Sequence, residues 1–90
     1  MDKKELLGAL NLVVDTIDRV SANDGVIVSL VHPDIQPSRV LVIDIKLSYK
    51  GYNTTDRFNT NMTFNASDAE DIAVKLLSSF FYDYFRAKVG

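Results

Sequence analysis

The sequence predicts an α+β fold in the order α-β-β-β-α, with a three-stranded antiparallel sheet and both helices packed on one of its faces in two layers. Three patterns lead to this prediction: an apolar stripe of helical period near the N-terminus, a strict apolar/polar alternation in the middle, and a second helical stripe near the C-terminus. With 90 residues, of which 47% are hydrophobic and 24% charged, the chain has the size and composition of a single folded domain, expected over residues 1–90.

The first helix is predicted from Asp2 to Val20. Asp2 and Glu5 have the spacing of a capping box, and the sequence NDG at 23–25 supplies residues that tolerate the left-handed backbone conformation at the end of a helix. The apolar positions recur at alternating intervals of four and three residues, which is the spacing of one buried helix face: Leu6, Leu10, Val13, Ile17 and Val20.

Three strands are expected to follow. The segment VIVSLV at 26–31 is rich in β-branched residues, and residues 39–50 alternate between apolar and polar side chains, as in a strand with one buried face. The sequence KGYN at 50–53 predicts a turn. After it, Phe58, Met62 and Phe64 alternate with polar residues, which predicts a third strand and a hairpin.

The second helix is predicted to open with a capping box formed by Ser67 and Glu70 and to run to about Lys88. Acidic residues in its first turn and basic residues in its last turn both complement the helix dipole. The stripe centred on Phe80 is expected to face the sheet, and it comprises Ala69, Ala73, Leu76, Phe80 and Tyr84.

This helix carries more apolar surface than one contact requires, because the segment SSFFYDYF at 78–85 holds five aromatic residues. At about 100° per residue its apolar arc spans roughly 220°, whereas a helix on one surface needs about 100°. Three strands make a sheet only about 14 Å wide, and two helices side by side need about 20 Å. The first helix can cover Leu77 and Phe81, but some of the flank should remain exposed, and Tyr82 and Phe85 are the residues least able to find cover within one chain. The predicted interface with another chain comprises Val74, Leu77, Phe81, Tyr82, Phe85 and Arg86.

The sequence offers no recognisable catalytic set, so we expect neither an enzyme nor a bound cofactor or metal. Cysteine is absent, which excludes disulfides and thiolate chemistry, and the only histidine, His32, follows a strand without a neighbouring metal-ligand pattern. Each acidic pair has a structural explanation, as a solvated helix face or as the first turn of a helix.

The functional hypothesis is therefore a small protein-interaction module of the adaptor or inhibitor type, which forms a homodimer and covers the surface of another protein. In size and style the chain resembles the accessory and inhibitor proteins of bacteriophages and other mobile elements. No segment is apolar enough to span a membrane, and a cytoplasmic location is expected. The alternative is a module that binds a nucleotide or another small ligand at an oligomer interface, using Arg39, Lys46, Tyr52 and Arg57.

The predicted order of elements also resembles the double-stranded RNA-binding domain, in which a lysine-rich segment at the start of the second helix grips phosphates. This resemblance implies RNA binding as a third hypothesis. In this chain, however, the corresponding segment is NASDAEDIAVK, which places Asp68, Glu70 and Asp71 where cations are needed. Because phosphate contacts dominate affinity for nucleic acids, the sequence argues against this function.

Overall fold

The computed structural model describes residues 2–32 and 41–89. Within these ranges the chain forms helix α1 (Lys3–Val20), strands β1 (Ile27–Val31), β2 (Val42–Tyr49) and β3 (Tyr52–Asn59), a short 3-10 turn (Ala66–Asp68), and helix α2 (Ala69–Val89). The predicted α-β-β-β-α order and the α+β class are therefore confirmed.

Helix α1 begins where the sequence predicts. The side chain of Asp2 accepts a hydrogen bond of 2.8 Å from the backbone N–H of Glu5, which satisfies one of the free donors of the first turn. At the other end Ser21 caps the helix, and Gly25 adopts a positive φ of 80° in the turn that leads to β1. The buried face of α1 is formed by Leu6, Ala9, Leu10, Val13 and Ile17.

The three strands form an antiparallel sheet in the order β1-β2-β3. A two-residue turn joins β2 to β3, with Lys50 at φ 48° and Gly51 at φ 82°. Positive φ at both positions matches the twist of a hairpin. Tyr49 and Tyr52 are consequently paired across the last rung of the hairpin, next to the turn.

Both helices pack on one face of this sheet, as predicted. Ile43, Ile45 and Leu47 of the central strand point toward the helices and are fully buried. Since α2 contributes Ala69, Ala73 and Phe80 to the same core, the predicted sheet-facing stripe of that helix is confirmed at these positions. On the opposite face the described ranges place no further helix or strand.

The third strand ends earlier than the sequence pattern predicts, and Met62 lies outside it with 39% of its surface exposed. The strand ends at Asn59 because the Asn59 side chain accepts a hydrogen bond from the backbone N–H of Asn61 at 2.9 Å. This local bond turns the chain away from the sheet. Phe64 still reaches the core from the connecting segment and contacts the ring of Phe58 at 6.1 Å between centroids.

The start of α2 also differs from the prediction. The carboxylate of Asp68 accepts a hydrogen bond of 2.9 Å from the backbone N–H of Asn65, and the N–H of Asp68 donates to the carbonyl of Asn65 at the same distance. Ser67 therefore lies inside a 3-10 turn instead of capping the helix. Asp68 can close this turn because it stands three residues after Asn65, the same spacing that the Ser67–Glu70 box would have used.

Candidate functional site

The aromatic segment of α2 lies against the end of the β2-β3 hairpin. The Tyr84 ring makes edge contacts with Tyr49 and Tyr52 at centroid distances of 5.0 and 5.9 Å, and Phe80 contacts Tyr52 at 5.5 Å. Phe81 reaches Tyr49 at 5.6 Å. These contacts account for three of the five aromatic side chains of the segment, because both hairpin tyrosines face the helix layer and offer rings for them to pack on.

The other two aromatic side chains face outward. Tyr82 is 65% exposed and Phe85 is 61% exposed, although Phe85 contacts Phe81 at 6.3 Å and Tyr84 at 5.3 Å along its inner edge. Val89, one turn further, is 91% exposed.

Val74 lies on the same helix face, two turns earlier, and is 49% exposed. We name these four residues, Val74, Tyr82, Phe85 and Val89, the α2 patch. They are half of the large apolar side chains that are exposed in the described part of the chain. Of the other four, two lie on α1 (Leu12 and Val20), one on β1 (Ile27) and one after β3 (Met62). The exposed apolar surface is thus concentrated on α2.

The structure separates the six residues predicted as an interface. Leu77 is 7% exposed and belongs to the core, while Phe81 is half-buried between the hairpin and Phe85. Leu77 therefore belongs to the core, as the sequence allowed, whereas the ring outside α2 that contacts Phe81 is Tyr49 of the hairpin; neither residue is counted in the α2 patch. Arg86 is exposed and lines a shallow depression together with Tyr82, Phe85 and Val89.

The surface of α2 also carries a charge gradient. Glu70 and Asp71 are exposed in its first turn, and Arg86 and Lys88 are exposed in its last turn. Three residues of the α2 patch, Val74, Tyr82 and Phe85, therefore lie between an acidic end and a basic end of one helix, and Val89 lies at the basic end. This arrangement favours the helix dipole, and it also presents opposite charges to any partner that lies along the helix.

The described residues that were predicted to bind a small ligand do not all lie on one face of the sheet. Arg39 lies outside the described residues. Lys46 and Arg57 project from the face of the sheet opposite the helices, whereas Tyr52 points to the helix side and contacts Phe80. Arg57 is moreover engaged by Asp44, which its guanidinium grips with two hydrogen bonds of 2.9 and 3.2 Å.

This ion pair changes the titration of the carboxylate. The hydrogen bonds from Arg57 lower the pKa of Asp44; burial opposes the shift, and the charges of Arg57 and Lys46 add to it. The Asp44 side chain is only 6% exposed and lies on the sheet face opposite the helices, directly across from Arg57. We therefore interpret the pair as a structural clamp between β2 and β3.

A polar groove of about 230 Å³, which the sequence analysis missed, lies between β3 and α2. Asp56 and Asp83 line it together with Thr54 and Ser79, and the hydroxyl oxygen of Thr54 is buried without a hydrogen-bond partner. Burial, and then the charge of Asp83, raise the pKa of Asp56. Alternation with Phe58 is the sequence signal that could have placed Thr54 and Asp56 on the helix side.

A second recess, of about 280 Å³, lies beside the hairpin turn and is lined by both Lys50 and Lys88. The Lys50 ammonium lies 5.2 Å from the centroid of the Tyr49 ring and that of Lys88 lies 5.5 Å from the centroid of Tyr84. Each lysine is therefore already associated with an aromatic face of its own chain.

Comparisons with known proteins found no match: no protein family matches the chain, and no curated protein or solved structure is significantly similar to it. Over the described ranges, no group of three or more histidine, cysteine, aspartate or glutamate side chains is placed to hold a metal ion. No helix in those ranges is long and apolar enough to cross a membrane.

Proposed function

We propose that this chain is a non-enzymatic protein-interaction module that acts as a homodimer and docks through the α2 patch. The observation that carries the proposal is the exposure of Tyr82 and Phe85 on a helix whose other flank is fully used by the core. Aromatic residues with an arginine at the border are the composition of the centre and rim of an interface.

The size of the patch fits a weak association. Two aromatic side chains that are about two-thirds exposed leave roughly 250 Å² uncovered, and the two valines raise the apolar area to on the order of 400 Å² per copy. Such an area lies at the low end of specific interfaces. We expect a reversible dimer with a Kd on the order of tens of micromolar, in which the outer face of each sheet, opposite the helices, remains open to a further protein partner.

Sedimentation velocity of the wild-type chain and of two variants tests the proposal. In Phe85→Asp a charge is placed in the α2 patch, and the chain should sediment as a monomer at concentrations where the wild type is dimeric. The matched control is Ile27→Asp, which alters an equally exposed apolar residue (68%) on the other face of the sheet and should leave the dimer intact.

Circular dichroism must show that both variants keep the wild-type fold, which is expected because both side chains are largely exposed. A wild-type chain that stays monomeric at several hundred micromolar would overturn the proposal. So would a Phe85→Asp variant that dimerises as well as the wild type.

A further inference from the structure

The α2 patch has a spacing that a second copy of α2 matches. Val74 is separated from Tyr82, Phe85 and Val89 by two helical turns or more, and the exposed residues between Val74 and Tyr82 are Lys75, Ser78 and Ser79. Val74 and Phe85 are 11 residues apart, so at about 100° per residue they lie within roughly 20° of each other on the helix surface. A partner helix that runs antiparallel can therefore place its Phe85 against Val74 and its Val74 against Phe85.

Two further pairs of exposed residues on α2 are centred near the same point of the helix as Val74 and Phe85. The midpoint in the sequence between Asp71 and Arg86 is 78.5, and the midpoint between Lys75 and Tyr82 is also 78.5. For Val74 and Phe85 the midpoint is 79.5. All three pairs are therefore centred within one residue of each other.

We infer that two copies pair through antiparallel α2 helices, with the two-fold axis at Ser78 and Ser79; this inference rests on the proposed function. In this arrangement Asp71 of each copy faces Arg86 of the other, and Lys75 lies beside the aromatic face of Tyr82. A two-fold interface needs such self-complementary pairs. The exposed serines at its centre are small enough for the helices to approach to about 8–10 Å.

A parallel pairing lacks this complementarity. It would place Asp71 beside Asp71 and Arg86 beside Arg86, and it would leave each Val74 next to another Val74 with no aromatic cover. The antiparallel arrangement therefore accounts for the separation of Val74 from the other three patch residues, for the charge gradient along α2, and for the small residues between them.

Charge exchange tests the orientation. Arg86→Glu and Asp71→Lys should each weaken self-association about ten-fold, since either change converts two attractive contacts into repulsive ones. An equimolar mixture of the two variants should recover wild-type affinity, because the mixed dimer regains both attractive pairs. Failure of the mixture to recover, when each variant alone is weakened, would overturn the inference.

The absence of cysteine allows a geometric test with single-cysteine variants. Ser78→Cys should form a disulfide-linked dimer on mild oxidation, whereas Ser29→Cys, on the opposite sheet face, should not. Spin labels at Ser67→Cys, in the 3-10 turn that precedes α2, should lie about 35 Å apart, because each label is some 17 Å from the two-fold axis along the direction of the helix.

The two proposals fail in different ways. A dimer that is abolished by Phe85→Asp but that holds the Ser67→Cys labels about 10–15 Å apart would be parallel, which would overturn this inference and leave the proposed function standing. A chain that stays monomeric overturns both. Disulfide formation at the Ser29→Cys control, at the same rate as at Ser78→Cys, would also contradict the inference.

Discussion

Truncation of Phe80 to alanine should destabilise the domain far more than the same truncation of Phe85. Phe80 is 2% exposed and its ring contacts Tyr52 and Phe81, so its removal leaves a cavity between α2 and the hairpin. Cavity-forming phenylalanine-to-alanine changes cost about 3–5 kcal/mol. A domain of this size has a free energy of unfolding of about 5–13 kcal/mol, so the loss should be large and measurable.

Phe85 has a smaller expected effect because it is 61% exposed and buries about two-fifths as much of itself as Phe80 does. Full burial of a phenylalanine is worth about 1.5–3 kcal/mol, so the Phe85→Ala change should cost about 1 kcal/mol in the monomer, with no cavity left behind. The ratio between the two variants, about three to five, is the quantity to test.

Urea unfolding followed by circular dichroism measures both values, at about 1 μM protein so that dimer formation does not contribute. The slope of the free energy against urea should be unchanged in both variants. Equal losses at the two positions, or a loss below about 1.5 kcal/mol for Phe80→Ala, would refute our account of which aromatic residues form the core.

Three further predictions concern two glycines and two ionised groups. Gly8→Ala, in α1, should stabilise the domain by up to about 1 kcal/mol, since the added Cβ has no neighbouring side chain within 4 Å. Gly51→Ala, in the hairpin turn, should destabilise it by about 1 kcal/mol because φ is 82°. Thermal melts should show shifts of the melting temperature in opposite directions for the two variants, and shifts in the same direction would contradict this. Asp56→Asn should raise stability at pH 7 but not at pH 3, because a raised folded pKa means that the wild type loses stability as pH rises above about 3.9. Arg57→Met should lower stability at pH 7, where Asp44 is ionised and paired. The loss should shrink only as the pH falls below about 3.9 and through the lowered folded pKa of Asp44, and a loss that stays the same when Asp44 becomes protonated would exclude the clamp.

The parts of the fold that depend on neighbouring residues could be predicted from the sequence. The Asp2 cap, the alternation along β2 and the turn at Lys50 and Gly51 are each set by contacts within a few residues, and the structure has them where expected. The end of β3 was missed because the short-range hydrogen bond of Asn59 competes with the apolar alternation that continues to Phe64.

The candidate site depends on contacts between distant residues. Helical spacing and the width of the sheet indicated Tyr82 and Phe85 as the residues least able to find cover, and both are exposed. The same reasoning assigned the cover of Phe81 to the first helix, whereas its observed ring contact outside α2 is with Tyr49, more than thirty residues earlier. The groove at Asp56 depends on Ser79 and Asp83 of α2, which are distant from β3 in the sequence.

The pairing of aromatic residues between the hairpin and α2 provides an intrinsic optical probe. The chain has no tryptophan and four tyrosines, of which Tyr49, Tyr52 and Tyr84 belong to the same ring cluster. In a Tyr82→Phe variant every remaining phenol would report on the docking of the helix against the hairpin. Tyrosine fluorescence and near-ultraviolet dichroism could then follow assembly of the two layers separately from events on the outer surface of the helix, without an added chromophore.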